Sequence, residues 1–348
     1  MSPTKYPVKD TAVWQKLKQV SLFRALKTHF RHMTTTLMNL GERPDSKLRQ
    51  YSGVFTPLAQ NDLPLICIVR NANNYIRAFL RHYRDLGVTR FIIVDDRSDD
   101  GTLEVLAAAK DVDLYVSDKT YLTTALGAHW RDALLGMYGH DHWYVSVDAD
   151  EFLVFPGSET RSINDFIGDL ESKGYNRCLA MMLDTYPPGA LDAVQFHDDG
   201  KNSPFSVSSH FDGDSYTIKH ERYGTAVRGG PRKRLFDRDM RQVKFPLFNA
   251  DKATDYRRGS IHGLGPVIRN FVPVTSVLLH YRFSAHSVDE FRKTIEDYGE
   301  TEHGGAHYSA ILNSSEFSGS FSLAYHGSAQ YKDSQDLIDR GFMMDLRS

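Results

Sequence analysis

Short apolar runs alternate along the chain with longer segments of helical period. Leu63-Pro64-Leu65-Ile66-Cys67-Ile68-Val69 and Phe91-Ile92-Ile93-Val94 are apolar throughout, and runs this short predict strands buried on both faces. Between them, Tyr75 to Leu86 sets Tyr75, Ile76, Phe79, Leu80, Tyr83 and Leu86 on one broad face, which predicts an amphipathic helix. Asn73 or Asn74 stands where an N-cap belongs, and Gly87 where the helix would close. The series continues with a helix over Leu103 to Ala109, a strand over Val112 to Val116 and a helix over Tyr121 to Met137. Tyr144-Val145-Ser146-Val147 is the next strand. Ser162 opens a helix that runs to Ser172 before Gly174, and Arg177 to Leu183 is a strand ending at Asp184. Val274 to Leu279 is a late strand, and Ser287 caps a helix from Val288 to Tyr298. Strands alternating with helices imply right-handed β-α-β units. The fold class is therefore α/β: a Rossmann-like, mixed but mainly parallel sheet flanked by helices.

The ends of the chain break this rhythm. Val13 to Leu40 carries Trp14, Leu17, Val20, Leu22, Phe23 and Leu26 among several Lys, Arg and His. That pattern predicts one or two helices packed on the main domain, with contact to a membrane face or a partner as the alternative use of a basic amphipathic segment. Gly41 to Gly53 looks like a linker. Residues 185–225 are rich in Gly, Asp, Ser and His with little periodicity, a length that suggests a lid or binding loop. The resulting map is a helical N-terminal extension over 1–60, the main domain over 61–300 and a polar, aromatic extension over 301–348.

Composition narrows the options little. Of 348 residues 41% are hydrophobic and 25% charged, and the formal net charge is -2, so no global nucleic-acid footprint exists. No run approaches the roughly 18 apolar residues of a membrane span, and no signal-peptide core opens the chain. The expectation is a cytoplasmic protein, with the N-terminal segment as its one route to the inner face of a membrane. Cys67 and Cys178 both lie in apolar runs and read as buried thiols.

The chemistry gathers where strands end. Tyr144 to Val147 breaks into Asp148, Asp150 and Glu151 before Phe152-Leu153-Val154-Phe155. In an extended chain Asp148 and Asp150 point the same way, and their charges repel unless a cation lies between them. A divalent hard ion, Mg²⁺ or Mn²⁺, suits such oxygen ligands and would share them with a phosphate. Arg70, Asn71, Asp95 and Asp96 also stand at strand ends, where open α/β sheets bind ligands. Gly229-Gly230-Pro231 feeds Arg232, Lys233 and Arg234, and Lys244 follows. Such cations would neutralise a departing diphosphate. His280, ending the strand over Val274 to Leu279, is a candidate third metal ligand, and His262 is its rival.

Together these residues resemble the nucleotide-sugar glycosyltransferases of the GT-A fold, and most nearly family 2. The matching residues are Arg70-Asn71-Ala72, Asp95 through Thr102, and Asp148-Ala149-Asp150-Glu151-Phe152. Gly229 through Phe236 and His280-Tyr281 also look like features of bacterial members, and the resemblance spans roughly residues 62–300. It implies that Asp95 and Asp96 hold the donor's base and ribose, with Val69, Arg70 and Asn71 lining the same pocket. It implies that Asp148 meets the ribose and that Asp148 and Asp150 hold Mn²⁺ or Mg²⁺ on the diphosphate. A nucleotide-sugar donor, a saccharide or lipid-linked saccharide acceptor and an inverting transfer follow from the same likeness. Two departures stand out: Arg70 replaces the usual Lys, and Ala72 the usual acid. No Glu-Asp pair of the kind that supplies the base in many inverting members is present. Asp184 is then the first choice for that base and Glu151 the second.

Two other readings compete. A nucleotidyltransferase would also bind Mg²⁺ through carboxylates on a Rossmann-like sheet. It would be expected to open with a glycine-rich phosphate loop, and residues 70–74 contain no glycine. A glycan-binding or scaffold protein on a degenerate fold would be expected to have lost acids that are all present here.

Overall fold

The computed structural model describes residues 3–10, 12–14, 46–256, 262–300, 305–314, 317 and 320–347. The N-terminal segment read as one or two helices lies almost wholly outside the described residues. Strands β1 (Thr4–Tyr6) and β2 (Leu48–Ser52) precede the first β-α-β unit, which is β3 (Pro64–Val69), α1 (Ile76–Asp85) and β4 (Arg90–Asp95). Helix α2 (Thr102–Ala107), β5 (Val112–Ser117), α3 (Ala128–Tyr138) and β6 (His142–Asp148) complete the repeat. Then come β7 (Glu151–Val154), α4 (Ile163–Ser172), β8 (Leu179–Tyr186), β9 (His210–Asp212) and the hairpin β10 (Tyr216–Glu221) and β11 (Gly224–Gly229). The last elements are α5 (Pro231–Phe236), β12 (Val243–Lys244), β13 (Leu247–Ala250), β14 (Val274–His280), α6 (Ser287–Tyr298), α7 (Ala306–Leu312), β15 (Ser328–Gln330) and α8 (Ser334–Arg340).

These strands form three sheets. The first runs β13-β6-β3-β4-β5-β2. Its four inner strands are parallel, and its two edge strands antiparallel. The second runs β15-β9-β8-β14-β7, with β8 and β14 parallel. A small antiparallel sheet joins β1 to the hairpin. The α/β class therefore holds as a mixed arrangement, with parallel pairing among β6, β3, β4 and β5 and between β8 and β14, and antiparallel pairing elsewhere. Strand β2, in the stretch expected to be a linker, instead extends the first sheet by pairing with β5. Among the described residues no helix is long and apolar enough to cross a membrane. Cys67 and Cys178 are buried and unpaired with each other.

Local chemistry explains most boundaries. Ser162 accepts from the Asp165 amide and Asp165 from the Ser162 amide, a reciprocal cap that fixes the start of α4. The expected cap on α1 is absent: Asn73 turns away and donates through Nδ2 to the Asp100 carbonyl, 2.8 Å away. The helix expected from Tyr121 is broken, because Ala125, Leu126 and Gly127 all have positive φ, and α3 starts only at Ala128. The tail, which carries few signals, is nonetheless anchored: Phe342, Met343 and Leu346 are buried in the same core as β3, β4 and β8.

Strand register sets up the site. Val69 lies opposite Asp95, and Ile68 opposite Asp148, so β3, β4 and β6 end at one edge. The chain then crosses to the second sheet over Ala149 and Asp150 alone. There His280 lies opposite Glu151 on one side and Asp184 on the other. The acids of the motif thus stand at the seam between two sheets.

Candidate active site

A cleft of about 520 Å³ opens at this seam, walled by Arg70, Asp96, Asp148, Asp150, His280 and residues of α6. Its floor is a chain of alternating charges. Asp148 accepts from Arg131 Nη2 at 2.9 Å and from Lys244 Nζ at 2.6 Å. Lys244 also pairs with Glu151 Oε1, which is fully buried. Burial alone would raise Asp148, but Lys244 and Arg131 outweigh it and hold the carboxyl below its ordinary range. Burial would likewise lower Lys244, yet Asp148 and Glu151 keep it firmly charged.

Arg131 reaches this position because the chain approaches closely at Gly127. A Cβ there would stand 2.1 Å from Ile68 Cδ1 and 3.0 Å from Arg131 Nη1, with φ at +76°. Only glycine tolerates both constraints.

The second half of the floor centres on His280. Its Nδ1 lies 2.7 Å from Asp184 Oδ1, and its Nε2 3.1 Å from Asp150 Oδ2. With a proton on Nδ1 held by Asp184, Nε2 presents a lone pair to a carboxylate oxygen. That contact is favourable only with a proton or a cation between the two atoms. Burial pulls the imidazole down, but Asp150 and Asp184 outweigh it and raise its pKa.

The donor set also fits a divalent cation. One atom each of Asp150, Glu151 and His280 lies within 4.8 Å of the others. Because Glu151 is buried and bound to Lys244, Asp150 and His280 are the pair that faces the cleft. Asp184 then stands where an orienting carboxylate behind a metal-binding histidine belongs.

The expected site residues divide by position. Val69, Arg70, Asn71, Asp96, Asp148, Asp150, His280 and His262 line the cleft. Asp95 lies just beneath, where its Oδ2 accepts from the Ser98 amide at 2.9 Å and anchors the loop after β4. His262 donates from Nδ1 to the Val243 carbonyl at 2.8 Å. Burial and neighbouring Lys244 lower it to about 3, which keeps it neutral.

Of the three consecutive cations, only Arg232 lines the cleft. Successive helical residues point about 100° apart, so Lys233 faces out to Asp237 and Arg234 turns to Asp212. Arg232 itself is committed to Asp184, at 2.8 and 2.6 Å. Neither carboxylate chosen as base lines the cleft. Asp184 is buried, with both oxygens bound, and although burial would raise it, Arg232 and His280 hold it far below its ordinary range. Glu151 is sealed behind Lys244. A carboxylate held low as Asp184 is makes a poor proton acceptor at neutral pH, and Glu151, although burial raises it, is cut off from the cleft.

Several residues of the site were not singled out from sequence. Arg131, buried behind Asp148, is an arginine on the same helical face as Leu134 and Leu135, and a charge on an apolar face was the available signal. Arg282 directly follows His280-Tyr281. Helix α6 contributes Glu290, Asp297 and Tyr298, whose roles depend on where the helix lands. Tyr298 donates to Asp96 Oδ2 at 2.6 Å, and Asp297 pairs with Arg70 at 2.8 Å.

Comparison with known proteins gives a partial likeness. No family model matches the chain. Over 101 residues it is 29% identical to a glycosyltransferase family 92 protein of Oryza sativa subsp. japonica, covering 27% of this chain and 16% of that protein. The chain thus matches only a small part of that relative's length. Among solved structures it is similar to HddC from Yersinia pseudotuberculosis, with 9% identity, a TM-score of 0.27, and 54% and 74% of the two chains covered. It is also similar to a 4-diphosphocytidyl-2C-methyl-D-erythritol synthase, with 14% identity, a TM-score of 0.27, and 54% and 76% covered. The sequence likeness is therefore to a glycosyltransferase, under a family name other than family 2.

Proposed function

We propose that the chain is a metal-dependent glycosyltransferase that moves a sugar from a nucleotide-sugar to a hydroxyl of a saccharide or lipid-linked saccharide, with inversion. The observation that carries this reading is the convergence of Asp96, Asp148, Asp150 and His280 on one cleft from separate strand ends, with the buried cations Arg131 and Lys244 among them. The motif resemblance and the family 92 likeness support it.

Asp150 and His280 would hold Mn²⁺ or Mg²⁺, with Asp184 fixing the histidine. A divalent ion at this place supplies positive charge to a leaving diphosphate. The chain's own residues do the rest. Asp96 offers an acceptor oxygen to the nucleoside. Lys244 and Arg131 keep Asp148 ionised and oppose the negative charge that develops as the diphosphate leaves. Arg282, 3.4 Å from Asp150 Oδ2, adds to the same field.

The test is donor hydrolysis by the purified protein with UDP-, GDP-, CMP- and dTDP-sugars, in Mn²⁺ and in EDTA. Nucleotide release from one donor, abolished by EDTA and by Asp150→Ala, is the expected result. Release that persists in the Asp150→Ala protein with its metal dependence intact refutes the proposal.

A further inference from the structure

Transfer to a hydroxyl needs a group in the cleft that takes the hydroxyl proton, and the two carboxylates first expected in that role are sealed away from it. Five carboxylates do line the cleft: Asp96, Asp148, Asp150, Glu290 and Asp297. Four are engaged. Asp96 accepts from the Tyr298 hydroxyl and from the Tyr121 amide. Asp148 is held by Arg131 and Lys244, Asp150 by His280 and Arg282, and Asp297 by Arg70. Among the described residues no hydrogen bond or ion pair engages the carboxylate of Glu290.

Resting on the transferase reading above, we propose that Glu290 is the proton acceptor for the attacking hydroxyl. As the acceptor oxygen bonds to the anomeric carbon, its proton passes to a Glu290 oxygen. The bond from that carbon to the diphosphate oxygen breaks, and its electron pair leaves with the nucleoside diphosphate. Helix α6 suits the role because Glu290 lines the same cleft as Asp148, Asp150 and His280, the residues proposed to meet the donor diphosphate. The surroundings of the carboxyl agree with a role as base. Burial pushes Glu290 up to about 7, against the pull of Arg282 and together with Asp150, Asp100 and Asp289. A carboxylate poised near neutrality is a far better base than one bound by arginine.

The test uses the full chain with the nucleotide-sugar that the hydrolysis panel selects. Glu290→Gln is expected to lower kcat by about 100-fold or more, while KM and the thermal shift given by the matching nucleoside diphosphate with Mn²⁺ stay at wild-type values. Glu290→Ala is expected to regain part of its kcat in added formate, which a structural role would not produce. A Glu290→Gln protein that keeps kcat within a few-fold overturns the assignment alone. So does one that loses the nucleotide-induced shift along with kcat. A wild-type protein that neither consumes a donor nor is stabilised by any nucleotide removes the transferase reading and this assignment with it.

Discussion

Lys244 is the residue on which the floor of the cleft depends most. Its ammonium bridges Asp148 and the fully buried Glu151, and removing one partner of a buried pair leaves an uncompensated charge. Lys244→Met should therefore destabilise the fold by about 3–5 kcal/mol, measured by denaturant unfolding. Lys244→Met combined with Glu151→Gln should recover much of that loss, because no buried charge is then left alone. Equal destabilisation in the single and double variants would mean that Glu151 does not depend on Lys244. At this scale the sequence was informative about type and poor about pairing. Asp96, Asp148, Asp150 and His280 announced themselves at strand ends. That Asp184 serves His280 and Arg232 rather than the substrate depends on register between β8 and β14, which no local pattern encodes. Glu290 was invisible because one acid on an acidic helix carries no mark of what the helix faces.

Among the elements, α1 and β7 are joined by a contact that makes stability pH-dependent. His82 on α1 donates through Nε2 to the Leu153 carbonyl on β7 at 3.0 Å. Burial lowers its pKa to about 4, and neighbouring Arg81 pulls the same way. Between that value and the ordinary value of about 6.5, the unfolded chain binds a proton that the folded chain refuses. Stability from this group is thus fully present above about pH 6.5 and is lost as pH falls toward 4, by about 1–3 kcal/mol. His82→Phe should flatten the unfolding free energy over that window, and an unchanged slope would assign the dependence to other groups. The turn before α3 gives a second case. Gly127→Ala adds a methyl 2.1 Å from Ile68 Cδ1 at a φ of +76°, so it should destabilise by about 1–3 kcal/mol and shift Arg131 off Asp148, lowering turnover more than donor affinity. Strands β3 and β4 were legible because each carries a continuous apolar run, and α1 because its apolar residues share one face. The break at Ala125 to Gly127 was not, since Ala and Leu at positive φ are chosen by tertiary packing against their own preference.

At the scale of the whole molecule, the cleft joins two sheets between which the chain passes at Ala149 and Asp150, again between β12 and β13, and again between β13 and β14. The first sheet contributes the ends of β3, β4 and β6, and the second contributes His280 and leads into α6. Across the opening, α6 already touches the first sheet through Tyr298 on Asp96, Asp297 on Arg70 and Lys293 on Asp99. Two of these links use the residues proposed to receive the nucleoside. A bound nucleoside diphosphate must therefore replace contacts between α6 and the sheet with contacts of its own, and so couples both sides. A ligand at 100 times its Kd should stabilise the fold by about 2.7 kcal/mol, and amide exchange should slow in residues 95–102 and in α6 together. The metal-dependent part of both effects should vanish in Asp150→Asn and remain in Lys293→Ala, whose ion pair with Asp99 is exposed. Protection confined to residues 95–102, with α6 exchanging as before, would place the nucleotide on the first sheet alone. It would also leave Glu290 too far from the reaction to take part.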